Sequence, residues 1–272
     1  MRTPLQNLHT HTTFCDGRLS AAGMVQAAIE LGCDSLGFSE HSYVAFDPAF
    51  TLSAETADEY AREVKALKES YTGTIDIYLG IEQELFTDVP AVGYDFIIGG
   101  AHYVRIGDKY ASIDASAESQ KQIADYYFGG DYLALAEAYF ETAADLATKT
   151  NADIIGHFDL LTKYSFNGSI FDETHPRFLA AALGAMDEIM KTCRLFEVNT
   201  GAMYRTGKPE PYPSWLLLRE LRKRGGEVIL SSDSHDAASL CHKFGEMREI
   251  LKSIGFKYIK TLTQSGFTDA AL

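Results

Sequence analysis

The sequence predicts an α/β fold in which a parallel sheet closes, or nearly closes, into a (β/α) barrel. Three observations lead there. Short apolar or β-branched runs alternate with longer amphipathic segments about seven times, the pattern of a parallel sheet with helices outside. The 272 residues accommodate that many units in one domain and bury a core without staples. No glycine-rich dinucleotide fingerprint follows the first apolar run, which disfavours the alternative, an open doubly wound sheet.

The elements are expected in this order. Residues 5–9 form strand one. Residues 20–31 form a helix with Ser20 as its N-cap. SLGFS (35–39) is strand two, and the charged segment 53–70 is a helix. IDIYLGI (75–81) and FIIGG (96–100) are strands three and four. Residues 115–150, rich in Ala, Glu, Tyr and Leu, form a helical excursion of one or two helices broken near Gly129 and Gly130. DIIG (153–156) is strand five, 174–192 a helix, and LFEVN (195–199) strand six. A helix over 214–224 has Pro213 near its start. VILSS (228–232) is strand seven, 237–254 the last helix, and 257–263 one more short strand. No break in composition divides the chain, so residues 1–272 read as one domain.

Composition narrows the function classes. The formal net charge of −14 repels nucleic acid unless a local basic patch overrides it. The densest basic stretch, LRELRKRGG, reads instead as a solvated helix face with a basic last turn. The four cysteines form no CxxC pair, which fits a reducing cytoplasm. The N-terminus lacks an apolar signal core, and no apolar stretch is long enough to span a bilayer. A cytoplasmic protein with no membrane or nucleic-acid partner is the expectation.

The reactive residues cluster at the ends of the strands. LHTHTTFCDG (8–17) places His9, His11 and Asp16 after strand one. His41 follows strand two in SEH, Glu82 strand three in GIEQE, and His102 strand four in GGAH. His157 follows strand five in IIGH, Asn199 ends strand six, and Asp233 and His235 follow strand seven in SSDSH. In a (β/α) barrel all these ends meet on one face, where active sites are built. A single histidine after a strand is ordinarily just a satisfied polar residue. Here six of eight histidines share that position, with only His175 and His242 elsewhere, and imidazole is the commonest metal ligand. In extended chain, residues i and i+2 point the same way, so His9 and His11 can grip one ion together. One tetrahedral zinc takes about four ligands. Nine candidates suggest two or three ions with a bridging carboxylate, a composition suited to phosphate-ester hydrolysis.

The ordered series HTHTTFCDG, SEH, GIE, GGAH, IIGH and SDSH resembles the motifs of the PHP (polymerase and histidinol phosphatase) superfamily. The FEVNTG and YRTGKPEPYPS segments look most like its histidinol-phosphatase branch. The resemblance implies a distorted (β/α)7 barrel and a trinuclear centre of zinc, iron or manganese. It places His9, His11, Glu82 and Asp233 on a first ion. Glu82 bridges to a second, held also by His102 and His157, and Asp16, His41 and His235 hold a third. The implied reaction is hydrolysis of L-histidinol phosphate, a small phosphate ester, in histidine biosynthesis. A metal-bridging hydroxide attacks the phosphorus in line with the ester oxygen.

Asp16 or His235 is the candidate for proton transfer to the leaving alkoxide. A phosphate also wants an arginine fork. Arg205, in NTGAMYR, is the first candidate, with Arg18, Lys163 and Asn199 as further phosphate or substrate contacts. Arg105 reads as a surface residue. Glu40, Glu84, Phe14, Phe158 and Tyr204 are candidate pocket walls. Three competing readings start from the same barrel face. The first is a PHP-type nuclease or a phosphoesterase acting on another small phosphate ester: a nuclease needs a basic groove or stacking aromatics, against which the net charge speaks, while another ester stays open because the metal site reads phosphate and not the leaving group. An amidohydrolase typically carries a modified lysine on strand four, where this chain has His102. A metal-storage module predicts saturated coordination and no phosphate contact.

Overall fold

The structure, a computed structural model, describes residues 3–165 and 169–272. Among these residues a seven-stranded sheet runs in the order β1 (Gln6–Asn7), β2 (Ser35–Phe38), β3 (Asp76–Glu84), β4 (Phe96–Gly100), β7 (Ile154–Ile155), β8 (Leu195–Asn199) and β9 (Glu227–Ser231). Every neighbouring pair is parallel. The two outer strands meet at a parallel bridge between Thr10 and Ser234. There His11 N donates to Ser234 O at 2.8 Å and Ser234 N to His9 O at 3.0 Å. The sheet is therefore a nearly closed seven-stranded barrel, as the alternation predicts.

β1 is shorter than the expected 5–9. At the seam the Asn7 side chain takes over pairing: its Oδ1 accepts from Ser232 N at 3.0 Å, and its Nδ2 donates to His9 O at 3.1 Å. β3 runs three residues past its predicted end, so Glu82 and Glu84 lie within the strand. They share one face of it. Close packing beneath the site rests on glycine. A Cβ at Gly80 would stand 2.2 Å from the Phe96 ring, and one at Gly37 2.9 Å from it. The fully buried Phe96 fills the space both glycines leave.

The helices follow their signals. α1 (Ala21–Leu31) is capped by Ser20, whose hydroxyl accepts from Gly23 N, and stops at Gly32, φ 78°. α2 (Ala54–Ser70) starts with a reciprocal Ser53–Thr56 capping box. α6 (Pro176–Ile189) is shorter than 174–192, and His175 caps it by accepting from Arg177 N. That structural task explains one of the two histidines away from the strand ends.

The excursion departs from expectation. A hairpin of β5 (Tyr103–Ile106) and β6 (Lys109–Ser112) comes first, and then three helices: α3 (Ala117–Phe128), α4 (Tyr132–Ala143) and α5 (Leu146–Thr150). α3 ends at Gly129 and Gly130, φ 61° and 81°, where the break was placed. Gln120 of α3 ties the layer to the barrel by donating to Ile113 O and Leu161 O. α4 packs on α6 through Phe140 and Phe178, ring centroids 5.3 Å apart. The predicted helix 237–254 is divided. A short 3-10 turn, Ala237–Ser239, is capped by Asp236, and α9 begins only at Phe244 (Phe244–Ile254), after Cys241 and Lys243 take positive φ. The strand near 257–263 is β10 (Tyr258–Thr263), antiparallel to β11 (Gly266–Ala271) and outside the barrel sheet. α7 (Gly201–Arg205) and α8 (Trp215–Lys223) complete the helices. No helix of the described residues is long and apolar enough to cross a membrane.

Candidate metal centre

The nine strand-end residues converge at the C-terminal mouth of the barrel. Glu82 sits in the middle, buried, with its two carboxylate oxygens facing different partners. Oε2 faces His9 Nε2 (3.3 Å), His11 Nε2 (3.5 Å) and His41 Nδ1 (2.8 Å). Oε1 faces His157 Nε2 (2.6 Å) and His102 Nε2 (3.4 Å). Asp233 Oδ1 lies 3.7 Å from His9 Nε2 and 3.3 Å from His11 Nε2. A third group forms at the rim. Asp16 stands 3.1 Å from His235 Nε2, 3.8 Å from His41 Nε2 and 3.9 Å from His11 Nδ1.

Several of these atoms lack a hydrogen bond. His9 Nε2, His11 Nε2, Glu82 Oε2 and His157 Nδ1 are buried with no hydrogen-bond partner among the described residues. An orphaned buried polar atom costs about 1–3 kcal/mol, and three of these four converge on one point. Four ligand atoms about 2.0–2.1 Å from a tetrahedral ion stand roughly 3.3–3.4 Å apart. His9 Nε2 and His11 Nε2 each lie 3.3 to 3.7 Å from both Glu82 Oε2 and Asp233 Oδ1, close to the separation of two ligand atoms on one ion. The residues present fit a divalent cation. Ligand-forming groups assemble as His9, His11 and Asp233; as His9, Glu82 and His157; as His41, Glu82 and His102; as His11, Asp16, His41 and His235; and as His11, Cys15 and Glu40.

Charge supports the same fit. Asp16, Glu82, Glu84, Glu197 and Asp233 crowd the mouth, and Arg205 is the fixed cation among them. Burial alone would raise the Glu82 carboxyl, but His41, His102 and His9 hold it well below its usual range. Burial would likewise raise Asp233, yet Arg205 and His9 keep it well below. Burial and the facing charges of His235 and His41 push His11 down to about 3, leaving a neutral imidazole. Burial would lower His102, but Glu82 and Glu84 override it and push this ring up to about 10.

Two carboxylates orient histidines: Glu197, which the sequence reading did not single out, and Glu84, which it named only as a candidate pocket wall. Glu197, buried inside β8, accepts from His9 Nδ1 at 2.8 Å, His157 N at 2.6 Å, Asn199 Nδ2 at 2.8 Å and the Ser231 hydroxyl. Glu84 accepts from His102 Nδ1 at 2.8 Å. Carboxylates behind histidines fix tautomer and ring direction. The signal for Glu197 lies in LFEVN, where Glu197 and Asn199 alternate as His9 and His11 do.

The substrate-side expectations separate. Arg205 lines the central cavity, donates to Asp233 Oδ2 at 2.8 Å and approaches His235 Nδ1 at 3.1 Å. Lys163 lines the same cavity and pairs with Asp114 at 3.2 Å. Arg18 does not line that cavity: its side chain is 79% exposed, faces Asp236 at 3.6 Å and lines an adjoining cavity with Arg205 and His235. Asn199 is fully buried and points into the barrel wall, bonded to Glu197, to Asp233 and to Gly201 N. Among the expected wall residues, Phe158 is core, packed on Phe140 and Phe196. Glu40 binds Thr12 and Cys15, Phe14 packs edge-on against Tyr60, and Tyr204 lies beside His242. Only Glu84 of that set lines the cavity of about 380 Å³.

A barrel carrying this ordered set of imidazoles and carboxylates at its mouth defines a class, and the chain belongs to it: it is a member of the PHP domain family, whose model matches residues 7–201. Asp233 and His235 lie beyond that match. A Deinococcus radiodurans protein named "Probable histidinol-phosphatase" is 25% identical over 264 residues, covering 93% of this chain and 95% of the relative. A Schizosaccharomyces pombe protein of the same name is 27% identical over 256 residues, covering 84% and 79%. The crystal structure of histidinol phosphate phosphatase from Lactococcus lactis, complexed with zinc, L-histidinol and phosphate, superposes with a TM-score of 0.69 at 22% identity, covering 97% of this chain and 98% of that one.

Proposed function

We propose that this chain hydrolyses L-histidinol phosphate to L-histidinol and phosphate at a centre of three divalent ions, zinc, iron or manganese. The observation that carries the reading is that His9 Nε2 and His11 Nε2 each lie 3.3 to 3.7 Å from both Glu82 Oε2 and Asp233 Oδ1, while both imidazole nitrogens and Glu82 Oε2 are buried without a hydrogen-bond partner among the described residues. The names of the relatives, and the ligands of the Lactococcus lactis structure, favour this ester among small phosphates.

His9, His11, Glu82 and Asp233 would hold the first ion. Glu82, through its other oxygen, would share the second with His102 and His157. Asp16, His41 and His235 would hold the third. Bound there, the ions would supply an activated water and neutralise the negative charge of the ester. The remaining tasks belong to side chains. Arg205 and Lys163 reach the cavity and can take phosphate oxygens by charge-assisted hydrogen bonds. Asp16 and His235, 3.1 Å apart at the rim of the cavity, are the candidates for proton transfer to the leaving alkoxide if the third ion is absent from the working centre. Glu197 and Glu84 hold His9 and His102 with their second nitrogens outward.

The test is phosphate release from L-histidinol phosphate, glycerol phosphate and a nucleotide side by side, with metal content measured on the same sample. Turnover confined to histidinol phosphate, two or three ions per chain, and collapse in His102→Ala are expected. Equal or faster release from the other esters would keep the phosphoesterase and overturn the substrate. A fully metallated protein that releases phosphate from no ester would overturn the reaction.

A further inference from the structure

The cavity has two unlike halves. Its floor is the histidine and carboxylate cluster, with Arg205 and Lys163 beside it. Its outer wall includes one loop, residues 43–52, which contributes Val44, Asp47, Phe50 and Thr51. That loop is held in place. Leu52 N donates to His41 O at 3.0 Å, and the Thr87 hydroxyl donates to Tyr43 O. Phe46 stacks on Tyr110 of β6, centroids 4.1 Å apart and nearly parallel, and meets Tyr103 of β5 edge-on at 4.8 Å. The unforeseen β5–β6 hairpin is therefore the buttress of this wall.

Three groups on the loop are positioned for a ligand. The Asp47 carboxylate accepts from the Tyr103 hydroxyl at 2.8 Å, a neutral donor that adds no positive charge. Phe50, on a 3-10 turn, is 60% exposed while lining the cavity. The Thr51 hydroxyl oxygen is buried without a hydrogen-bond partner among the described residues. A carboxylate, an open aromatic face and an unused hydroxyl suit a planar group bearing N–H donors and positive charge. The same carboxylate repels a second anionic group on the ester.

We propose that loop 43–52 is the specificity element of the cavity: Asp47, Phe50 and Thr51 take the organic half of the ester and select planar, cationic leaving groups over neutral or anionic ones. This rests on the phosphatase reading above and adds which residues choose the substrate. Asp47 and Phe50 are not among the residues that would hold the ions or the phosphate, so their contribution is to binding.

The experiment compares Asp47→Asn, Asp47→Glu and Phe50→Ala with the parent enzyme on L-histidinol phosphate and on glycerol phosphate, which has neither ring nor cation. In Asp47→Asn, KM for histidinol phosphate should rise roughly tenfold, the scale of one hydrogen bond to a charged group, with kcat within about twofold. The fall in kcat/KM should be at least about five times larger for histidinol phosphate than for glycerol phosphate. Asp47→Glu should recover much of the preference, and Phe50→Ala should lose it in the same direction. Calorimetric binding of L-histidinol alone should weaken in parallel, a readout free of the chemical step. Parallel loss on both esters, or unchanged KM and histidinol affinity, would overturn the proposal and leave the phosphatase standing. A parent enzyme inert toward histidinol phosphate would overturn both.

Discussion

Glu197→Gln isolates the orienting role of a residue that does not line the central cavity. The carboxylate is buried and accepts four hydrogen bonds, two at each oxygen. An amide offers one accepting oxygen and one NH2. With NH2 on the Oε1 side it confronts the backbone N–H of His157, which cannot turn, and strands a buried donor at about 1–3 kcal/mol. With NH2 on the Oε2 side the Ser231 hydroxyl can rotate to accept. His9 must then accept at Nδ1, so its proton moves to Nε2. That proton occupies the lone pair aimed at Glu82 and Asp233. The second arrangement costs less stability and more ligand strength. The variant should therefore fold with a small loss of melting temperature and bind zinc about 10–100-fold more weakly, or about 1.4–2.7 kcal/mol. Titration calorimetry on chelator-treated protein measures the affinity, and thermal melting measures the stability. Zinc affinity within twofold of the parent would refute the tautomer argument.

Three further outcomes follow from the same geometry. Arg205→Ala should lower kcat/KM for the phosphate ester by about two orders of magnitude, the scale of one oriented donor at a reacting group; Arg18→Ala, at an exposed side chain, should stay within about twofold, and steady-state kinetics on both variants decides. His102 is pushed up to about 10 by Glu82 and Glu84, so at pH 7 its ring carries a proton that an ion must displace. Apparent zinc affinity should then rise with pH up to about 10, by as much as about tenfold per unit for that proton, and binding enthalpies in two buffers of different ionisation heat should reveal proton release; enthalpies independent of buffer would contradict it. Gly80→Ala drives a methyl into the Phe96 ring and should cost about 1–3 kcal/mol, with an unchanged melting temperature as the contrary result.

Much of the candidate site was legible because strand ends leave a local mark. His9, His41, Glu82, His102, His157 and Asp233 each follow an apolar run, and that offset alone places them on one barrel face. Residues inside strands were not legible in the same way. Glu197 sits between Phe196 and Val198 and Glu84 between Gln83 and Leu85, and nothing local says which histidine each will meet. Arg18 follows the first strand in the same way, but its exposed side chain meets Asp236 and lines an adjoining cavity, a direction that the strand-end position does not fix. The β5–β6 hairpin was missed because Tyr103, Arg105, Lys109 and Tyr110 carry no alternation of buried and exposed residues.

The sequence by itself determined the alternation of strands and helices, their caps and stops, and the inventory of imidazoles and carboxylates at one end of the barrel. Those features depend on local propensity and on periodicities of 2 and 3.6 residues, which short windows contain. Only the tertiary structure decided how the two carboxylate oxygens of Glu82 divide five histidines, which carboxylate stands behind His9, and which loop walls the cavity. These are contacts between residues as far apart as His9 and Glu197. They are set by the closure of the barrel at Thr10 and Ser234 and by the tilt it gives each strand, a geometry that exists only when all seven strands are paired.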